Sequence, residues 1–220
     1  RDRSPSRGLG DVYKRQIGAV DDNRQEKISW QRVIPFLLIH LACIGVLWVG
    51  YSTFAVGLCA LLYISRMFFV TAFYHRFFSH RTFQASERVM IVMAVLGCTA
   101  GQRGPLWWAS HHRKHHIKSD TSDDPHSPSE RGFLFSHMLW FLTRGAFAIR
   151  WTQVKDWRKY PALLMIERYD WLPFIGLGAV CYGVGAAAAM IYPSTETSGM
   201  QCLIWGFFIS TVLLYHATYT

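Results

Sequence analysis

The apolar positions of this chain fall into four long blocks. From Val33 to Gly50 the run is broken only by His40, and after Tyr51-Ser52-Thr53 it resumes from Phe54 to Tyr74, interrupted by Arg66. Trp171 to Tyr192 and Met200 to Thr220 repeat the arrangement around the loop Pro193 to Gly199. Each block approaches the roughly 20 residues that cross a bilayer core. The pattern predicts an all-α integral membrane fold: spans at about 33–50, 54–74, 171–192 and 200–220, paired as two hairpins, under a helical cap over 75–170. Val89 to Gly101 is apolar for only 13 residues and is followed by Arg103-Gly104-Pro105. That length suits an interfacial or half-inserted helix. Phe133 to Trp151, mixing aromatics with Arg144 and Arg150, predicts an amphipathic surface helix. Residues 1–27 lack the apolar core of a secretory signal and read as a disordered or vector-derived tail, leaving 28–220 as one membrane domain.

Charge adds an orientation. The first 32 residues hold eight Lys and Arg, whereas the 51–53 break and the 193–199 loop hold none. The positive-inside rule then places both ends and the cap on the cytoplasmic side. Composition agrees with a membrane protein: 51% hydrophobic and 17% charged, against about a quarter charged in soluble domains. The formal charge of +9 comes from residues flanking the spans, which suits lipid headgroups and argues against nucleic acid. The five cysteines sit in apolar stretches without a CxxC pair, so they read as buried small hydrophobes.

Four of the ten histidines fall in His111-His112-Arg113-Lys114-His115-His116. On a helix, His112, His115 and His116 share a face. Upstream, His75-Arg76-Phe77-Phe78-Ser79-His80 spaces two more at i and i+5. Those would diverge by about 140° on an ideal helix, so a helix end that turns both inward is expected. Imidazole is the commonest metal ligand, and His75, His80, His112, His115 and His116 are more than one tetrahedral ion needs. The count points to two metals. A transporter would need acidic or polar groups inside the spans, where His40 and Arg66 are the only obvious titratable side chains.

HRFFSH at 75–80, HRKHH at 112–116, Trp108, DPH at 124–126 and RGFLFSH at 131–137 resemble the integral-membrane acyl-CoA (stearoyl-CoA type) desaturases, from about residue 30 to the last. The resemblance implies an O2-dependent enzyme that places a cis double bond, at the ninth carbon, in a saturated acyl chain during unsaturated fatty acid biosynthesis. It implies two non-haem irons, for which the five named histidines are five of about nine histidine ligands, and a substrate tunnel for fatty acyl-CoA or acyl-lipid. Lacking a haem or flavin domain, the chain would take electrons from a separate carrier of the cytochrome b, ferredoxin or rubredoxin kind with its reductase. The family's third box, HNxHH, and the Asn and His before it do not occur before Thr220, so the 220 residues alone are expected to be inactive. Glu130 stands where the animal enzymes carry a base, leaving Arg131 for coenzyme A phosphates.

Other candidates follow from chemistry. Asp120, Asp123 and Asp124 are placed to accept the far ring N–H of the ligands, or to form a turn. Trp108, and more weakly Gln102, are candidate donors to an acyl carbonyl. A membrane hydroxylase would use the same ligands and differ only in its product.

Overall fold

A computed structural model describes residues 27–119, 121, 124 and 127–219. The predicted tail therefore lies outside the described residues except for Lys27, as do Asp120, Asp123, Pro125 and His126. The described residues contain no β-strand, only an isolated bridge between Ile28 and Thr143.

Four helices are long and apolar enough to cross a membrane: α1 (Trp30–Val49), α2 (Thr53–Ser79), α6 (Trp171–Ile191) and α7 (Gly199–Tyr219). Between them lie α3 (Glu87–Cys98), α4 (Pro105–Lys118) and α5 (Pro161–Arg168). Their starts follow ordinary capping chemistry. Ser52, Ser86 and Ser198 each accept the backbone N–H three residues on, at 3.2, 3.4 and 3.1 Å. Ser52 also donates to Thr197 at 2.9 Å, tying the two hairpin loops together. The end of α1 is closed by α7, because Gln201 donates to Val49 O at 2.8 Å and Trp205 to Gly50 O at 2.9 Å.

Within the membrane the helices approach through small residues, the usual substitute for a hydrophobic drive in lipid. A Cβ on Gly185 would strike Cys202 of α7. Arg66 is fully buried and finds partners inside the bundle: Leu62 O at 3.0 Å, Thr99 O at 3.3 Å, Thr211 Oγ1 at 2.8 Å, and Ser210 Oγ. Of the cysteines, four are buried and Cys43 half-buried, all unpaired.

Helix α3 has 12 residues, or roughly 18 Å, and packs against the last turns of α2. The cap core joins Tyr74, Phe77 and Phe78 of α2 to Met90 and Ala94 of α3, Leu106 and Ala109 of α4, and Val154, Trp157 and Leu163 beyond.

The amphipathic helix expected over 133–151 is not formed. The segment runs instead as short turns at Phe135–Leu139, Trp140–Leu142 and Gly145–Phe147. Long-range pairing breaks it: Ser29 N donates to Leu142 O at 2.8 Å and Arg144 N to Lys27 O at 2.9 Å. Arg32 adds bonds to Phe141 O at 3.1 Å and Thr143 O at 2.7 Å. These carbonyls and amides are consequently lost to a continuous helix.

Candidate metal centre

The site is built where α2 ends against α4. From Phe69 to Ser79, α2 widens to π-type winding. His80 N bonds His75 O at 3.1 Å across five residues, and Ser79 Oγ donates to Tyr74 O at 2.8 Å. With i→i+5 bonding the helix widens, so residues five apart come toward one face and the divergence of an ideal helix narrows. The His75 and His80 rings consequently stand 4.6 Å apart. Tyr74 anchors this turn, its hydroxyl donating to Arg103 O at 3.2 Å, while Gly97 leaves room for its ring.

Helix α4 supplies the facing pair. Its first turn is capped by the buried Glu167, whose Oε2 accepts Leu106 N at 2.8 Å and Trp107 N at 3.2 Å. Pro105 at the first position costs no hydrogen bond. His112 and His116 then project from one face at i and i+4. Arg113, on the opposite side, donates to Phe78 O at 2.6 Å, Ser79 O at 2.8 Å and Gln153 O at 2.6 Å, fastening α4 to the end of α2.

One ring nitrogen from each of His75, His80, His112 and His116 lies within 4.8 Å of all the others. His112 Nε2 is 3.0 Å from both His80 Nε2 and His116 Nε2. One lone pair or one proton cannot satisfy two such neighbours well, whereas a cation among them accepts every lone pair at once. The electrostatics suit that. Burial, then the neighbouring imidazoles, pushes His112 down to about 2, and burial with His80 and His115 lowers His116. Both rings are therefore neutral near pH 7, the form that binds metals. Trp108 stacks on His112 at 4.8 Å and 23°, fixing its plane.

His115 turns away from this group. Its Nδ1 lies 2.8 Å from Oδ1 of the buried Asp124, and its ring borders a cavity of about 290 Å³ shared with Trp108, His112, His137 and Thr218. The buried Gln102 bridges two other expected or lining residues: it donates to Thr218 Oγ1 at 2.7 Å and accepts from Trp108 Nε1 at 3.4 Å. Arg131 sits apart at the end of the exposed turn Pro128–Arg131, its guanidinium 5.6 Å from the Phe135 ring. His111, first of the run, is buried and bonds Ala148 O at 3.1 Å, outside the metal group.

Sequence reading passed over Arg113, Asp156, Glu167 and His137. Arg113, inside HRKHH, and His137, at the end of RGFLFSH, carried a local signal; Asp156 and Glu167 carried none.

The fatty acid desaturase family profile matches residues 51–220. The chain is 31% identical over 198 residues to the sn-1 stearoyl-lipid 9-desaturase of Anabaena variabilis, covering 88% of this chain and 67% of that protein. It is 29% identical over 205 residues to Delta-9 acyl-lipid desaturase 1 of Arabidopsis thaliana, covering 87% and 67%. It is 31% identical over 209 residues to an acyl-CoA 5-desaturase of Anemone leveillei, covering 90% and 61%. The chain thus spans about two thirds of the length of these relatives. With four spans, a helical cap and a four-imidazole cluster that could hold a metal ion, this chain belongs to the fatty acid desaturase family.

Proposed function

We propose that the protein forms a cis double bond at the ninth carbon of a saturated acyl chain, using dioxygen and two iron ions. The convergence of His75, His80, His112 and His116 on one point carries this reading. They hold the first ion, and His115, aligned by Asp124, belongs to the second. Asp120 and Asp123 are further candidates to orient ligands. Iron would supply the oxidant that takes hydrogen from an unactivated methylene. The chain's own residues hold and orient: Trp108 keeps the His112 ring in plane, and Gln102 with Thr218 sets one wall of the cavity beside it. A separate electron carrier provides the reducing equivalents.

The carrier of the acyl chain is a membrane glycerolipid. Two of the relatives named above act on lipid-bound chains. A second cavity of about 410 Å³ lies between α1, α6 and α7, lined by Phe36, Phe141, Phe174 and Tyr215 with Arg32 and Arg103. An apolar slot bordered by Arg32, and by Arg103 paired with Asp170 at 3.1 Å, suits an acyl tail whose polar headgroup stays at the interface. Arg131, the group proposed for coenzyme A, has the acidic Glu130 beside it. The test is to supply the natural full-length chain in vesicles with iron, a reductase system and either stearoyl-phosphatidylcholine or stearoyl-CoA, then locate the double bond by mass spectrometry. A C9 alkene from the phospholipid is expected. An alcohol would overturn desaturation, and product from the thioester alone would overturn the carrier.

The cap faces the cytoplasm, supported by the absence of Lys and Arg from the 193–199 loop. A cysteine at Ser127 is expected to react with impermeant thiol reagents only from the cytoplasmic side, and one at Ser198 only from the other.

A further inference from the structure

Arg66 is a fully buried cation inside the membrane bundle, and among the described residues no carboxylate pairs with it; the ionisable groups around it are Cys59, Cys181 and Tyr215. A charge within a span is costly, so its presence asks for a role. The guanidinium reaches three segments at once: Leu62 O on its own helix, Thr99 O in the turn after α3, and the hydroxyls of Ser210 and Thr211 on α7. A glutamine has two donors and a lysine no fixed fork, so neither can hold such a set.

These contacts lie at the joints of two stretches of π-type winding. Arg66 stands in the last turn of the α-helical part of α2, Thr53–Phe68, and the widened part that carries His75 begins at Phe69. On α7 the π-type turns run Leu203–Ile209, and regular winding resumes at Ser210. The two hydroxyls that accept from Arg66 donate back into that stretch, Thr211 Oγ1 to Phe207 O at 2.6 Å and Ser210 Oγ to Gly206 O. Such winding is rare in helices, and here both instances are fastened to one guanidinium.

A packed layer separates this joint from the histidines. Val70 of α2, Ala100 of the turn and Leu214 of α7 are buried together, with Trp108 of α4 against them, and Trp108 stacks on His112. The turn that leads into α4 is held to α7 again by Tyr215, which donates to Gly101 O, and by Gln102, which donates to Thr218 Oγ1. Arg113 joins α4 to α2 on the cap side of the histidines, and Arg66 joins the same two stretches on the membrane side. We infer that Arg66 is a positioning residue for the metal centre: by holding Thr99 O and the α7 hydroxyls it sets the winding of α2 and the seat of α4, and so the placement of His75 and His80 against His112 and His116. This rests on the reading of those four histidines as metal ligands.

Cobalt(II) binding by the natural full-length chain in lipid nanodiscs tests it, because the visible absorption of the bound ion follows the number and geometry of its ligands. Arg66→Gln is expected to lower the affinity roughly tenfold, the lower end for groups that orient ligands, and to change the absorption at saturation. A role in stability alone would lower the unfolding temperature and leave that absorption unmoved. Thr211→Val removes a single acceptor, keeps the shape of the side chain and serves if Arg66→Gln misfolds; a smaller change in the same direction is expected. Parental affinity and absorption in folded Arg66→Gln, or in Thr211→Val where that variant decides, would overturn the inference and leave the ligand reading standing. Failure of the parent itself to bind cobalt(II) would overturn both.

Discussion

Arg113 places two guanidinium nitrogens on the two carboxylate oxygens of Asp156, at 2.9 and 3.0 Å, while the same group holds the carbonyls of Phe78 and Ser79. The second residue of the HRKHH run is thus the clamp that fixes one histidine pair against the other. Asp156 also takes Arg81 at 2.9 Å. Asp156→Asn is expected to cost about 2 kcal/mol, as for a charged, forked hydrogen bond, and Arg113→Lys nearly as much because the fork is lost. Thermal unfolding and cobalt(II) titration in nanodiscs check this: both variants should bind the ion more weakly, and unchanged affinity would deny the clamp its role.

The run contains a control of its own. His112→Ala or His116→Ala should abolish metal binding while membrane insertion persists, since both rings lie in the cap. His111→Gln can still donate to Ala148 O and should retain the metal. Metal content of the three purified variants distinguishes ligand from spacer, and equal content throughout would sink the ligand assignment.

Glu167 gives a pH signature. Burial raises its carboxyl from 4.5 to about 7, against the lowering by the N–H groups of Trp107 and Leu106. A carboxyl with a raised folded pKa keeps its proton in the fold while the unfolded chain has already released it. Stability contributed at this site therefore falls between about pH 4.5 and pH 7 and is level above. Glu167→Gln should remove that slope and keep an acceptor for the α4 cap. Unfolding midpoints of parent and variant at about pH 5 and pH 8 test it; parallel changes in the two proteins would refute the assignment.

Gly97 is needed because Tyr74 occupies the place of a side chain there. Gly97→Ala should cost about 1–3 kcal/mol, as overpacking does, and shift the turn that carries His75. A lowered melting temperature together with weaker cobalt(II) binding is expected, whereas weaker stability with unchanged binding would place Tyr74 in the core alone.

The four spans and the His112–His116 pair were legible in the chain because they depend on spacing alone: length against bilayer thickness, and i, i+4 on a helix. The same spacing misled over Phe133 to Trp151, where residues 27–29 and Arg32 capture the backbone and side-chain hydrogen bonds from more than 100 positions away. His75 and His80, at i and i+5, met only through a change in helix winding that packing of Tyr74 and Phe78 against α3 and α4 stabilises. Arg66 stands 33 to 145 residues from Thr99, Ser210 and Thr211, and the four share no motif. Local periodicity fixes which face a residue occupies. Which other face it meets is decided by the folded bundle, since that contact lowers free energy only once distant segments are already side by side.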